Sequence, residues 1–300
     1  LWELTLRFNL LPPELDAVIL GVFIAIATLL TWRHENSPVF AVSYGAAAIT
    51  AVALQITTHD NLSFIFLLLA MLVLCEMVGR RSHAGAIQPL VAVAADLAVW
   101  TLFYIYSSPE STRTDYPALS IVVLLAPACL LFFIAASSLT VKSVLLKKRL
   151  TIFEAAQAMI AFLLALISVL YLAPYAAVTV GITCLVLAIA CYIALLGRFR
   201  NTAEPRNFWI FAIWSAGLLL FGAMESLPRS FAAIVLGLGA VAAIALGARL
   251  KCLTLEAHGA IYLTVATITS GLLEYAIGVL TARSAPKPAW GVFAIAACAV

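Results

Sequence analysis

Long apolar stretches, each about as long as a membrane-spanning helix, follow one another along the whole chain. A helix that crosses a bilayer needs about 20 mainly apolar residues, and such stretches recur between short polar turns. The stretches are continuous and lack the alternation that strands of a membrane barrel show over about ten residues. The pattern therefore predicts an all-α protein, an integral membrane helical bundle with about ten complete transmembrane helices and a truncated eleventh.

Prolines and charged residues mark the predicted helix ends. Pro38 suits the first turn of the second helix, and a kink is expected at Pro127 inside the fifth. The alternating segment 1–14, which contains Pro12-Pro13, is predicted to be an external interfacial or linker segment. The predicted helices are 15–32, 38–57, 62–78, 87–106, 117–141, 152–172, 175–196, 207–225, 230–248 and 255–280.

We interpret the chain as a segment of a longer protein. It begins at Leu1 without a methionine, and the apolar run that starts near Ala289 reaches only Val300, which is too short to span a bilayer. Residues 15–300 are then expected to form a polytopic transmembrane domain.

The composition supports a lipid environment. Hydrophobic residues make up 65% of the chain and charged residues only 10%, against about 25% charged in an ordinary soluble domain. The net charge of +3 is too small to indicate a nucleic-acid partner, so the expected partners are membrane lipids and other membrane subunits. The six cysteines form no CxxC pair and are interpreted as small buried residues. No metal site and no cofactor is predicted.

Positive charge gathers on alternate turns. Twelve of the 17 Lys and Arg residues follow the first, third, fifth, seventh and ninth predicted helices. By the positive-inside rule, these turns are cytoplasmic and Leu1 is external, and we expect the protein in a cytoplasmic membrane. Anionic lipid is a further expected contact of these turns. The residues assigned to topology and lipid contact are Arg80, Arg81, Lys147, Lys148, Arg149, Arg198, Arg200, Arg206, Arg249 and Lys251.

Two of the basic turns have similar sequences. KKRLTIFEAAQA at 147–158 and RLKCLTLEAHGA at 249–260 each place a basic helix end before Leu-Thr and a Glu-Ala pair. The basic turns near residues 148, 199 and 250 are evenly spaced, which suggests tandem two-helix hairpins in one orientation. Convergence on a good cytoplasmic turn is the alternative.

Two carboxylates are predicted to lie within the membrane. Asp96 is ten residues into the fourth helix, about 14 Å along its axis, and its own helix offers no partner. Glu274 lies on the tenth helix, nearer the outer face, between Gly271 and Gly278, which would admit another helix. A charge in mid-membrane costs at least about 2.5–3.5 kcal/mol, so Asp96, with Glu274, is a candidate proton or cation site. The alternative is an aspartate that hydrogen-bonds to another helix and joins the two. The alternative for Glu274 is a structural residue that reaches the outer interface.

Other ionisable residues are given structural interpretations. Glu76 with Arg80, and Glu225 with Arg229, have a four-residue spacing and are interpreted as surface ion pairs. His258 is interpreted as an interfacial residue, because no further ligand motif accompanies it.

The turn sequences LLTWRHENSP, MVGRRSHAG, LLGRFRN and LGARLKCLTLEAHG resemble those of the large bacterial polytopic membrane proteins that have no assigned activity. In that group, apolar hairpins follow one another with short arginine-bearing turns. The resemblance is in this general pattern over the whole chain and includes no diagnostic motif. It implies a multi-pass membrane protein and implies no catalytic residue.

Three functions remain open from the sequence. The leading hypothesis is a non-enzymatic scaffold or a subunit of a membrane assembly. The second is a proton- or cation-coupled transporter or channel that uses Asp96 and Glu274. The third is a membrane-embedded enzyme that modifies lipid, with Arg198, Arg200 and Arg206 at the headgroup, and the lack of a long polar loop disfavours it.

Overall fold

A computed structural model of the chain describes residues 5, 12–34, 37–79, 87–109, 116–199, 205–281 and 290–299. Every regular element within those residues is a helix, so the all-α prediction is confirmed. Nine of the described helices are long and apolar enough to cross a membrane, and the number is ten if one bent pair counts as a single span. Most of the predicted segment 1–14 lies outside the described residues, and its last two residues open the first helix.

The chain divides into two compact units, residues 1–174 and 175–300. The sequence indicated no boundary inside residues 15–300, and the division falls at Pro174, where a single 3-10 turn separates two long helices. The helices of unit 1 are α1 Pro13–His34, α2 Ser37–Thr58, α3 Asn61–Gly79, α4 Gln88–Ser107, α5 Ile121–Thr140 and α6 Ile152–Leu172.

Unit 1 is built from hairpins of successive helices. The pairs α1–α2, α3–α4 and α5–α6 pack together, and α1–α3, α2–α4 and α4–α6 contacts join the pairs into one bundle. Tyr44, Phe64, Leu68, Met71 and Leu131 are fully buried in its core.

Polar contacts identify the two ends of unit 1. Lys142, just beyond α5, contacts Glu76 at the end of α3 and Glu154 at the start of α6. At the opposite end, the Tyr106 hydroxyl donates to the Pro117 carbonyl at 2.6 Å. The basic turn after α5 and the polar turn after α4 therefore lie at opposite ends of this unit, as the alternation of basic turns predicts.

Unit 2 also consists of hairpins. The pairs α7–α8 and α9–α10 pack along their lengths, and α12 packs against α9 and α10. At Gly181 of α7 an added Cβ would lie 2.6 Å from the Ser226 nitrogen, so only glycine permits the close approach of α7 and α8 there. The helices are α7 Ala177–Ala194, α8 Pro205–Ser226, α9 Arg229–Leu250, α10 Leu253–Ser270, α11 Leu272–Leu280 and α12 Trp290–Ala299.

The predicted continuous tenth helix is wrong. It is two helices, α10 and α11, bent by 69° at one residue. That residue is Gly271, whose φ of +80° lies in the left-handed region that favours glycine. The sequence analysis treated Gly271 as a packing residue, whereas it ends α10.

The fifth helix differs from its prediction at both ends. It begins at Ile121 rather than at Pro117, continues through Pro127, and ends in a π-helical turn over Val141–Leu145. The last helix, Trp290–Ala299, is too short to cross a bilayer, as predicted.

The two similar basic turns open their helices differently. Thr151 and Glu154 form a complete capping box at the start of α6. The N-cap of α10 is Cys252, which makes no side-chain capping hydrogen bond. The reason is spacing, because the capping box needs Thr three residues before Glu and Thr254 is only two before Glu256. The hairpin repeat therefore stays a prediction.

Replacing Thr151 with Ala should destabilise the protein by about 0.5–2 kcal/mol, because the Glu154 backbone N–H loses its acceptor. The measurement is the unfolding midpoint in detergent. Thr140→Ala is the control, since that exposed hydroxyl bonds only to Ala136 of its own helix. Equal midpoints for the two variants would contradict a stabilising role for the capping box.

Candidate functional site

Asp96 lies inside unit 1 and is paired with a glutamine on another helix. Its side chain is 8% exposed, and its Oδ1 accepts a hydrogen bond of 2.8 Å from Nε2 of Gln157 on α6. Both helices present small buried residues next to the pair, Ala95 on α4 and Ala158 on α6, which permit close packing. The partner that α4 cannot supply therefore comes from α6.

A second polar group, the Lys142 cluster, consists of Glu76, Gln88, Lys142 and Glu154. The Lys142 ammonium lies 2.8 Å from a Glu76 oxygen and 2.6 Å from a Glu154 oxygen. The Gln88 amide donates to the other oxygen of Glu76. These four side chains come from α3, α4, the π-helical turn after α5, and α6. One cluster therefore connects four helices of unit 1.

Helix dipoles explain why this cluster needs its lysine. Glu154 lies in the first turn of α6, where the positive end of the helix dipole favours a carboxylate. Glu76 lies in the last turn of α3, where the dipole disfavours one, and the residue is 8% exposed. The Lys142 ammonium supplies the positive charge that a buried carboxylate requires there.

The Lys142 cluster and the Asp96–Gln157 pair lie along the same side of α6. Glu154 and Gln157 are three residues apart, which places them on one helix face. The Asp96–Gln157 pair therefore lies about one helical turn of α6 further into unit 1 than Glu154 of the Lys142 cluster. Protonatable groups in succession along one helix face are the arrangement that a proton path would need.

Unit 2 has its own buried polar group. Nδ1 of His258 lies 2.8 Å from the Tyr192 hydroxyl, which also contacts the Tyr262 hydroxyl. His258 is 5% exposed and lies near the start of α10, and its interpretation as an interfacial residue stays a prediction. The three side chains join α7 to α10.

The Glu225–Arg229 ion pair does not form as predicted, and the Glu76–Arg80 pair lies partly outside the described residues. Glu76 is buried and bound by Lys142, and Arg80 lies outside the described residues. Helix α8 ends at Ser226, so helical spacing between Glu225 and Arg229 is lost. The Arg229 guanidinium instead donates through Nε to the Thr269 carbonyl at 2.9 Å.

Glu274, the second candidate for an intramembrane site, is exposed in the first turn of α11. It belongs to unit 2, whereas Asp96 belongs to unit 1. A shared path for the two carboxylates stays a prediction.

The residues assigned to topology lie at helix ends wherever the structure describes them. Lys147, Lys148 and Arg149 are exposed between α5 and α6. Arg249, in the last turn of α9, and Lys251, just after it, are also exposed. Arg198 and Arg206 lie near the ends of α7 and α8 and are half-buried. The remaining three, Arg80, Arg81 and Arg200, lie outside the described residues.

The cysteines are all free. Cys75 and Cys184 are buried, as predicted, whereas Cys129 is exposed on α5. In the part of the chain that the structure describes, no group of three or more His, Cys, Asp or Glu side chains is placed to hold a metal ion.

Several buried polar residues of unit 1 were not singled out from the sequence. Gln55 donates through Nε2 to the Ala98 carbonyl at 3.0 Å and to Asn61 at 3.2 Å, which connects α2 with α3 and α4. Asp16 is fully buried in the first turn of α1 and accepts from Thr5. The feature of the sequence that could have identified these residues is their position at the edges of apolar runs.

Comparison of the chain with protein-family models, with curated proteins and with solved structures gives no match. Function is therefore inferred from the geometry of the chain itself.

Replacing Lys142 with Met should cost about 3–5 kcal/mol of stability, because the buried Glu76 carboxylate loses its cation. Unfolding in detergent measures the change. Lys147→Met removes an equal charge from an exposed position and should have little effect. The double variant Lys142→Met with Glu76→Gln should be more stable than Lys142→Met alone. If Lys142→Met and Lys147→Met unfold alike, the cluster does not support unit 1.

Proposed function

We propose that the chain is a multi-pass segment of an integral membrane protein. The supporting observation is the apolar surface of its long helices, since only 22–56% of the residues in each candidate span are buried. On α7, Val178, Ile182, Val186 and Ile189 form an exposed stripe at helical spacing, each more than half exposed. Apolar faces of this extent are unfavourable in contact with water, whereas a lipid bilayer accommodates them.

The proposed orientation places the basic turns in the cytoplasm of a bacterial cell and residue 1 outside. It is supported by the concentration of Lys and Arg on alternate turns. In unit 1, the contacts of Lys142 and of Tyr106 agree with this alternation, because they lie at opposite ends of the bundle.

Single cysteines at positions 34 and 147 should react with an impermeant thiol reagent from the same side of a sealed membrane. A cysteine at position 175, between α6 and α7, should react from the other side. Each native residue is exposed, so substitution should not disturb packing. The measurement is labelling above the wild-type background in sealed and in opened vesicles. Labelling of positions 34 and 147 from opposite sides would exclude the proposed orientation.

We propose a structural role for this segment, as a scaffold or subunit of a membrane assembly. The observation that carries the proposal is the hydrogen bond between Asp96 and Gln157. A buried aspartate bound by a neighbouring helix holds two helices together in lipid, where apolar surface gives helices no reason to associate. Membrane lipids and other membrane subunits are the proposed partners.

Asp96 also supports a second candidate function, proton- or cation-coupled transport. The specific observation is that Glu154 of the Lys142 cluster and Gln157, which binds Asp96, lie three residues apart on one face of α6. Asp96 would take up and release the proton or cation, and the Glu76 and Glu154 carboxylates would face the basic end.

Two variants separate the structural role from transport. Gln157→Leu removes the donor and should destabilise the protein by about 1–2 kcal/mol if the hydrogen bond joins the helices. Asp96→Asn keeps an acceptor for Gln157, so it should leave stability nearly unchanged. Unfolding in detergent and pH-dependent flux in proteoliposomes are the two measurements. Thr101→Val, at an exposed hydroxyl of α4, is the control for stability.

The structural role predicts that neither the wild type nor Asp96→Asn supports flux above protein-free vesicles. Wild-type flux that Asp96→Asn abolishes would establish transport instead. If Gln157→Leu is as stable as Thr101→Val, the hydrogen bond does not join the helices and the structural proposal fails.

A further inference from the structure

The break at Gly271 leaves two interpretations of α10 and α11, either one span broken in the middle or a complete span followed by a separate helix. The ends of the neighbouring helices distinguish them. The Arg229 guanidinium, at the first residue of α9, bonds to the Thr269 carbonyl near the last residue of α10. Because α9 and α10 form an antiparallel hairpin, the start of α9 and the end of α10 lie at the same level.

The start of α12 lies at that level too. A Cβ added to Gly291 would lie 3.7 Å from the Ser270 side chain and 4.0 Å from Ser230. Three helix ends therefore meet where α10 stops. Helix α9 has the 22 residues of a full span, and the 18 residues of α10 run beside it to the level of its first residue.

Helix α11 turns away from α10 by 69° at this level. Its residues divide into three faces at helical spacing. Leu272 packs against the core of unit 2. Leu273, Ile277 and Leu280 form an apolar stripe and are 45%, 51% and 85% exposed. Glu274 and Thr281 lie on a third, polar face and are also exposed.

We propose that α11 is an interfacial helix that lies on the membrane surface at the end of unit 2. The Leu273–Ile277–Leu280 stripe contacts lipid at the boundary of headgroups and acyl chains, and Glu274 faces water. This is the arrangement of an amphipathic helix in the membrane plane. Trp290 at the start of α12 is 88% exposed and suits the same interfacial layer. The inference rests on the proposed membrane embedding.

One consequence concerns Glu274. A carboxylate on the water face of α11 has no desolvation cost to offset and cannot bind an ion within the membrane. The α9–α10 hairpin then crosses the membrane completely without α11, and Arg229 provides a cation for the carbonyl end of α10, as the helix dipole favours.

The test is cysteine accessibility along α11 in the full chain, in membranes opened on both sides. An impermeant maleimide is applied to Glu274→Cys, Thr281→Cys, Leu273→Cys and Ile277→Cys, with wild-type labelling as the background. Leu238→Cys is the control for a position covered by lipid. Leu238 is exposed on the protein surface of α9, about 14 Å along the axis from the first residue of that helix. Arg249→Cys, at an exposed position in the last turn of α9, is the water control.

We expect Glu274→Cys and Thr281→Cys to react at the rate of Arg249→Cys, roughly tenfold faster than Leu273→Cys and Ile277→Cys, because the thiolate must reach water to react. Protection of all four α11 positions, as at Leu238→Cys, would show a broken span and overturn the proposal. Full labelling of all four would show a helix in water and overturn it too. Full labelling of Leu238→Cys would show instead that the membrane embedding itself is wrong.

Discussion

The constraint on which the rest of the structure depends is that a polar side chain surrounded by apolar helices needs a partner on another helix. A helix satisfies its own backbone, so its side chains supply the specific contacts. In unit 1, Asp96 meets Gln157, Gln55 meets the Ala98 carbonyl, and Thr28 meets Tyr44 at 2.6 Å. Each contact joins two helices, and apolar packing alone would leave the rotation of one helix against the other poorly determined.

The Lys142 cluster shows the same constraint at the end of the bundle. A carboxylate at the carboxyl end of a helix is electrostatically unfavourable, yet Glu76 is buried there. The lysine that compensates it lies in a π-helical turn, a rare conformation that is frequent at functional sites. One ammonium thereby determines how the ends of α3, α5 and α6 are arranged.

The helices could be predicted because a continuous apolar run of span length has few other solutions. Asp96 could be singled out because it is the one charge inside such a run on α4. Its partner could not, because Gln157 carries no charge and is 61 residues away. Glu76 was predicted to lie at the surface because Arg80 follows at helical spacing, whereas it is buried and is bound by Lys142. Lys142 was counted only among the twelve basic residues on alternate turns, because its position in the sequence gives no sign of the two carboxylates that surround it.

The break at Gly271 could have been recognised from the Ser-Gly dipeptide, which is a turn signal. The length of the apolar run masked it, because α10 and α11 together read as one long span. The backbone conformation of Gly271 determines where α10 ends, since a glycine at positive φ ends a helix regardless of the hydrophobicity around it.

The division of the chain at Pro174 has a consequence for its synthesis. The helix-to-helix hydrogen bonds and ion pairs described for unit 1 all join residues that precede this proline. A nascent chain that has emerged as far as α6 therefore already carries both members of each of these contacts. Such a chain can settle into its native arrangement while the later helices are still being translated.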